Sequence, residues 1–267
     1  MDRGGIRIVR IFGITIRVDW SWLIILALVT WNLNRVFGQV RPDRNSVLTW
    51  ALSLVAALLF FLSVLIHELA HSLVARSRGI PVEDITLFIF GGVSEIEEQP
   101  DTPRGEFLMA ILGPVTSVVI GVILLFLAGV AGDPGAVLGD PEGTLAQLTP
   151  LTTLLVWLGS INVILGVFNM VPGFPLDGGR VLRSIVWAAT GSLETATRFA
   201  SIVGLIIAWA MIAGGALMVF GVSIPFFGSG FVSGLWLGLI GWFLHSAAMR
   251  HLRRGPRSRR QDPGLGA

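Results

Sequence analysis

Cysteine is absent from the 267 residues, which excludes a disulfide scaffold, a thiolate zinc site and a thiol nucleophile. Any metal must therefore be held by histidine and carboxylate. Lysine is absent too: all 19 basic residues are arginine, a bias that points to a GC-rich bacterial or archaeal genome. Charge is scarce. Asp, Glu, Lys and Arg make up 13% of the chain, against about 25% in an ordinary soluble domain, while 53% is hydrophobic and mean hydropathy is +0.78. These values belong to an integral membrane protein. No internal repeat is evident. The first apolar run lacks a small-residue cleavage pattern, so it is expected to stay as a span and not to be removed as a signal peptide.

A hydrocarbon core about 30 Å thick requires roughly 20 apolar helical residues. Six stretches qualify: 20–34; 47–66, which runs on into His67; 107–132; a span from about 151 inside the uncharged stretch 143–176, whose end is broken by Pro172 and Pro175; and two more within 199–249, separated by the Gly/Pro-rich 221–230. Two stretches read as β instead. Ile14, Ile16 and Val18 alternate with Thr15 and Arg17, and 84–98 mixes β-branched and aromatic residues around Gly91-Gly92 in the manner of a hairpin. The expected fold class is an all-α polytopic membrane protein of about six transmembrane helices, with a small β-sheet or hairpin at the cytoplasmic face. Its expected organisation is an N-terminal strand, four spans and a chemical core over 1–190, two further spans over 191–250, and a basic, disordered cytoplasmic tail over 251–267.

Arginine placement sets the expected orientation, because cytoplasmic segments near span ends carry the excess of basic residues. With six spans both termini share a side. That side holds the arginines up to Arg17, those from Arg76 to Arg104, those from Arg180 to Arg198 and those from Arg250 onward, sixteen of the 19. The other side keeps Arg35, Arg41 and Arg44. Both termini are thus expected in the cytoplasm, in the cell membrane of a prokaryote. The arginine-rich tail is expected to face anionic lipid headgroups, with no nucleic-acid role.

His67-Glu68-Leu69-Ala70-His71 ends the second of these spans and fits H-E-x-x-H. Two histidines one turn apart share a helix face and can bind one zinc, and a neighbouring carboxylate that is not a ligand can take the proton from a metal-activated water. Ionisable groups are avoided inside spans, which strengthens the reading. The plainer alternative is polar residues capping the helix at the interface. His67 lies 21 residues after Ser46, roughly 30 Å along a helix, so the metal is expected near the cytoplasmic boundary.

A catalytic zinc takes three protein ligands and keeps an open position, so one ligand is still missing. His245 and His251 stand at the end of the last span and in the basic tail, where snorkelling explains them better. Asp177 is the stronger candidate. It is the only acidic residue between Glu142 and Glu194, and Pro172, Pro175 and the paired Gly178-Gly179 impose a non-helical path that can aim a carboxylate at a neighbouring helix. Here the competing reading is a helix-ending turn in which Asp177 caps the next helix.

At these residues the chain resembles the site-2 protease family of intramembrane zinc metalloproteases, in a compact form without the PDZ or CBS domains that many relatives carry. The likeness rests on His67-Glu68-x-x-His71, Gly91-Gly92, Gly113-Pro114 and Asn169-x-x-Pro172-x-x-Pro175-Leu-Asp177-Gly-Gly-Arg180, and covers residues 10–190. It implies one zinc (Zn2+) per chain held by His67, His71 and Asp177, with Glu68 as general base. It further implies hydrolysis of a peptide bond in or beside the transmembrane helix of a membrane-tethered substrate, that is, regulated intramembrane proteolysis. Asn169, and Asn162 one to two turns earlier, are implied to hold or polarise the substrate, with Gly91 and Gly92 supporting the same step. The expected partners are a single-span membrane protein as substrate and the lipid bilayer; substrate identity and oligomeric state are left open. A helical peptide bond is paired and unreactive, so the substrate must unwind, and the strand 85–90 is expected to hold the unwound segment by strand addition. Two other readings of the same residues remain. One is a metal transporter using His67, Glu68, His71 and Asp177 as ligands, although the chain has one broken segment and no second half of that kind. The other is a non-catalytic scaffold for partner helices, against which the intact Glu68 counts.

Overall fold

The computed structural model describes residues 5–88, 91–96, 100–131, 149–225 and 228–254. In chain order the elements are β1 (Ile6–Ile11), β2 (Ile14–Val18), α1 (Trp20–Val40), α2 (Ser46–Ser77), β3 (Val82–Phe88), β4 (Gly91–Ile96), α3 (Pro103–Ala131), α4 (Pro150–Asn169), α5 (Asp177–Thr190), α6 (Leu193–Val219) and α7 (Phe231–Arg254). Every helix except α5 is long and apolar enough to cross a membrane. The expected class holds: helices dominate, and one small sheet accompanies them. The basic tail expected over 251–267 lies outside the described residues from 255 onward. Two compact units divide the chain. One comprises the described residues of Met1–Asp101 and Leu108–Asn169, the other those of Thr102–Phe107 and Met170–Ala267.

In the first unit, polar caps decide where the spans begin. The Asp19 carboxylate accepts from the Ser21 N–H at 2.9 Å and opens α1; the Asn45 side chain accepts from the Val47 N–H at 2.8 Å and opens α2. The α1 helix runs six residues past its expected end at 34. Arg35 turns outward while Phe37 buries to 2% exposure against Leu52, Ala56 and Ala57 of α2, so packing carries the helix through the charge. The 32 residues of α2 extend about 48 Å, well beyond a core about 30 Å thick. That surplus places the His67–His71 end where the sheet packs.

The sheet order is β1-β2-β3-β4, antiparallel between β1 and β2, parallel between β2 and β3, and antiparallel between β3 and β4. Strand β2 matches its alternation. Strand β1 is an additional element: its register slips between Arg7 and Val9, which spoils the period-2 pattern that would have revealed it. Ile14 and Ile16 of β2 and Val82 and Ile85 of β3 bury against Leu65, Leu69 and Ala75 of α2 and Met109 of α3, which docks the sheet on the histidine-bearing end of α2. Arg17 Nε donates to Asp84 Oδ2 at 3.0 Å, tying β2 to β3. One expectation is corrected here. The strand 85–90 cannot offer a free edge, because β3 is paired on both sides; among the described residues the edges are β1 and β4. Phe90 lies outside the described residues.

In the second unit, residues 170–176 follow a non-helical path through Pro172 and Pro175 before α5 starts. Helix α5 stops at Gly191, whose φ of 68° is left-handed and whose N–H donates to the Trp187 carbonyl at 2.8 Å. Helices α6 and α7 approach backbone to backbone: a Cβ on Gly215 would lie 2.5 Å from the Gly234 carbonyl oxygen. Leu54, Leu58 and Leu62 of α2 and Ile206 and Trp209 of α6 remain exposed, apolar surface of the kind that lipid covers.

Candidate metal centre

Helix α2 brings His67 and His71 to one face at a spacing of one turn and buries them to 4% and 3% exposure. Their Nε2 atoms stand 3.2 Å apart. Each Nδ1 is engaged elsewhere, that of His71 with the Met109 carbonyl oxygen at 2.6 Å and that of His67 with Ser117 Oγ at 3.0 Å. A carbonyl can only accept, so Nδ1 of His71 carries the proton and its Nε2 keeps a lone pair. Ser117 can accept from His67 in the same way. With both Nδ1 atoms protonated, two Nε2 lone pairs face one another in a buried site, a repulsion that a cation between them relieves. Two Zn–N bonds of about 2.05 Å at a tetrahedral angle separate their nitrogens by about 3.3 Å. The pair fits that bite, and its outward Nδ1–H bonds are those expected of metal-ligating histidines.

Helix α3 supplies the support. Met109, Gly113 and Ser117 are spaced by four residues and form one stripe along it, and Gly113 lies directly beneath His71: a Cβ there would fall 2.1 Å from His71 Nε2 and 2.5 Å from Cε1. Sequence reasoning noted Gly113 only within the resemblance and missed Met109 and Ser117. A backbone carbonyl has no signature in sequence, but the i, i+4, i+8 spacing from Met109 to Ser117 was the signal available.

Glu68 lies beside the sheet. A Cβ on Gly92 of β4 would lie 2.6 Å from Glu68 Cγ and 3.4 Å from Cδ, so the backbone of β4 passes directly beside the carboxylate stem. Gly91, with φ of +124°, occupies a backbone region that L side chains rarely adopt. Asn162 is wholly buried; its Nδ2 donates to Ser63 Oγ at 3.1 Å and to the Leu158 carbonyl at 2.8 Å, while Oδ1 has no hydrogen-bond partner among the described residues. Ser63 stands one turn before His67, so Asn162 braces α2 from α4. Asn169 closes α4 and donates from Nδ2 to the Leu165 carbonyl at 3.0 Å.

Asp177 belongs to the second unit, as the first residue of α5. In the structure Leu176, not Asp177, holds the N-cap position, and Asp177 stands in the first turn. A carboxylate in the first turn does gain from the positive end of the helix dipole. The chain doubles back tightly to reach it: a Cβ on Gly178 would lie 2.3 Å from the Met170 carbonyl oxygen. His245 packs edge-on against Trp209, with ring centroids 5.3 Å apart. The side chain of His251 lies outside the described residues.

The sequence pattern of peptidase family M50 matches residues 55–213, more than half of the chain. A Synechocystis sp. protein whose name carries the words zinc metalloprotease is 40% identical over 240 residues, covering 90% of this chain and 57% of that one. Rip3 of Mycobacterium tuberculosis, named in the same words, is 36% identical over 252 residues, covering 92% and 58%. The chain thus spans 57% to 58% of the length of these relatives. Among solved structures, the site-2 protease of Methanocaldococcus jannaschii is similar with a TM-score of 0.58 at 28% identity, covering 93% of this chain and 95% of that one. With six helices able to cross a membrane, the chain is a multi-pass membrane protein, and it belongs to peptidase family M50, the site-2 protease family.

Proposed function

We propose that this chain carries the catalytic part of an intramembrane zinc metalloprotease, which hydrolyses a peptide bond in or beside the transmembrane helix of a single-span, membrane-tethered substrate. The observation that carries the reading is the convergence of His67 Nε2 and His71 Nε2 at 3.2 Å, with Glu68 between them on the same helix. One zinc per chain would be held by His67, His71 and Asp177, two imidazoles and a carboxylate, the donor set of a catalytic zinc. Bound zinc supplies Lewis acidity that polarises a carbonyl and lowers the pKa of water to about 7.

Glu68 takes the water proton on a carboxylate oxygen and returns it to the departing amide nitrogen, so one group acts as base and then as acid. Met109 and Ser117 hold the imidazoles in the tautomer that keeps Nε2 available. Strand β3 is already paired on both edges, so the unwound substrate adds to β4, whose Gly92 lies against Glu68 and carries the extended segment past the base. Asn169 holds that segment at the end of α4, with Gly91 and Gly92 leaving room for it. Asn162 acts through Ser63 on α2 and does not touch substrate. The protein lies in the cell membrane of a prokaryote with both termini in the cytoplasm, a reading supported by the arginine distribution.

The test is Glu68→Gln on detergent-purified protein, with bound zinc and cleavage of a panel of single-span model substrates measured side by side. The variant is expected to keep about one zinc per chain while cleavage falls by about 10²- to 10⁴-fold, the contribution of a general base. Cleavage that survives in the variant overturns the assignment of Glu68.

A further inference from the structure

Glu106 and Arg183 are charged, buried to 0% and 6% exposure, and unused by the chemistry above. Glu106 stands in the first turn of α3 and Arg183 in the second turn of α5. Arg183 Nε donates to Glu106 Oε1 at 2.6 Å, and Nη2 donates to the same oxygen. Glu106 Oε2 is buried with no hydrogen-bond partner among the described residues. A buried ion pair with one oxygen left unsatisfied is a poor stabilising device, but the guanidinium has a second contact.

It lies over the ring of Phe174, 5.2 Å from the centroid. Phe174, 3% exposed, stands three residues before Asp177 in the non-helical segment 170–176. Two helices already clasp this segment. A Cβ on Gly179 of α5 would fall 2.4 Å from Gly173 C and Phe174 N, and a Cβ on Gly204 of α6 would fall 2.5 Å from the Phe174 carbonyl oxygen. The segment therefore has α5 on one side, α6 on another, and the Arg183 guanidinium across its aromatic ring.

We propose that Glu106 is a positioning residue which, through Arg183 and Phe174, fixes segment 170–176 in the one path that presents Asp177 to the metal. This rests on the proposed role of Asp177 as a ligand. A planar guanidinium can fork onto a carboxylate and lie flat on a ring at once, which an ammonium cannot do. Without the Glu106 charge Arg183 is left buried and uncompensated, withdraws, and uncovers Phe174; the segment then has several paths and Asp177 reaches the metal in only some of them.

Zinc affinity, measured by chelator competition on the full chain in lipid nanodiscs, tests this for Glu106→Gln, Arg183→Lys, Phe174→Leu and Asp177→Asn, beside the melting temperature of each metal-free protein. Arg183→Lys and Glu106→Gln are expected to weaken zinc binding by about tenfold or more, the usual range for a residue supporting a ligand, while Arg183→Lys melts as the wild type does. Wild-type affinity in Arg183→Lys and Phe174→Leu, with zinc lost in Asp177→Asn, overturns the positioning role and leaves the ligand assignment standing. Wild-type affinity in Asp177→Asn overturns the ligand assignment and the positioning role with it. Loss of zinc binding that only tracks loss of metal-free stability across the set also overturns it. If Glu106→Gln does not fold, Arg183→Lys and Phe174→Leu decide the matter.

Discussion

Replacing Gly113 by alanine puts a methyl group where the His71 imidazole already lies. The added Cβ would stand 2.1 Å from Nε2, 2.5 Å from Cε1 and 2.8 Å from Cδ2, whereas ordinary contact begins at 3.4 Å. Ring and helix must therefore part by about 1.3 Å to restore a normal carbon–nitrogen separation. Neither can move freely. His71 Nδ1 is tied at 2.6 Å to the Met109 carbonyl on the same helix as Gly113, so swinging the ring or pushing back α3 breaks that bond. Metal–ligand distances tolerate about 0.2 Å, so a displacement this large ends ligation by His71. Overpacking costs about 1–3 kcal/mol, partly offset by the better helix propensity of alanine, about 1 kcal/mol, and the fold is expected to survive. Zinc affinity is expected to fall by more than about 100-fold, beyond the reach of a supporting residue and equal to some 2.8 kcal/mol at about 1.4 kcal/mol per decade. Zinc per chain by mass spectrometry, chelator competition and metal-free melting measure the three quantities. Gly129→Ala on the same helix is the control, since a Cβ there meets nothing within 4 Å. One zinc bound at wild-type affinity by Gly113→Ala would refute the reasoning.

Ser117→Ala removes the hydroxyl paired with His67 Nδ1, and zinc affinity is expected to drop about tenfold with Ser117→Thr restoring it; unchanged affinity in chelator competition would show that Ser117 does not orient the ligand. Gly92→Ala forces a Cβ to 2.6 Å from Glu68 Cγ. It is expected to lower cleavage while zinc content stays at the wild-type level, and equal turnover of wild type and variant on one model substrate would separate Glu68 from β4.

Legibility followed the range of the interaction. The six spans could be read because a bilayer imposes length and apolarity on each helix separately. His67, Glu68 and His71 could be read because one helix turn carries them, and β2 because its alternation is undisturbed. Where a neighbour had a say, the reading faltered. The end of α1 depends on Phe37 finding Leu52 and Ala56, and β1 hides its period behind a shifted register. Helix α5 begins Asp-Gly-Gly-Arg, which reads locally as a turn, and only the packing of Gly178 and Gly179 on the returning chain makes it a helix start.

The sequence by itself determined the membrane class, the number of spans and the histidine pair, all consequences of composition and of spacing within single elements. Tertiary structure decided the rest. Strands β2 and β3 are paired across two intervening helices, so which strand keeps a free edge is a long-range outcome. Met109, Gly113 and Ser117 matter through a carbonyl oxygen, a missing side chain and a hydroxyl that only the approach of α3 to α2 makes relevant. Glu106 and Arg183, 77 residues apart, are two unremarked charges until folding buries them in each other's field. Local period and composition act on a chain before it folds; burial, pairing and close approach exist only after it has.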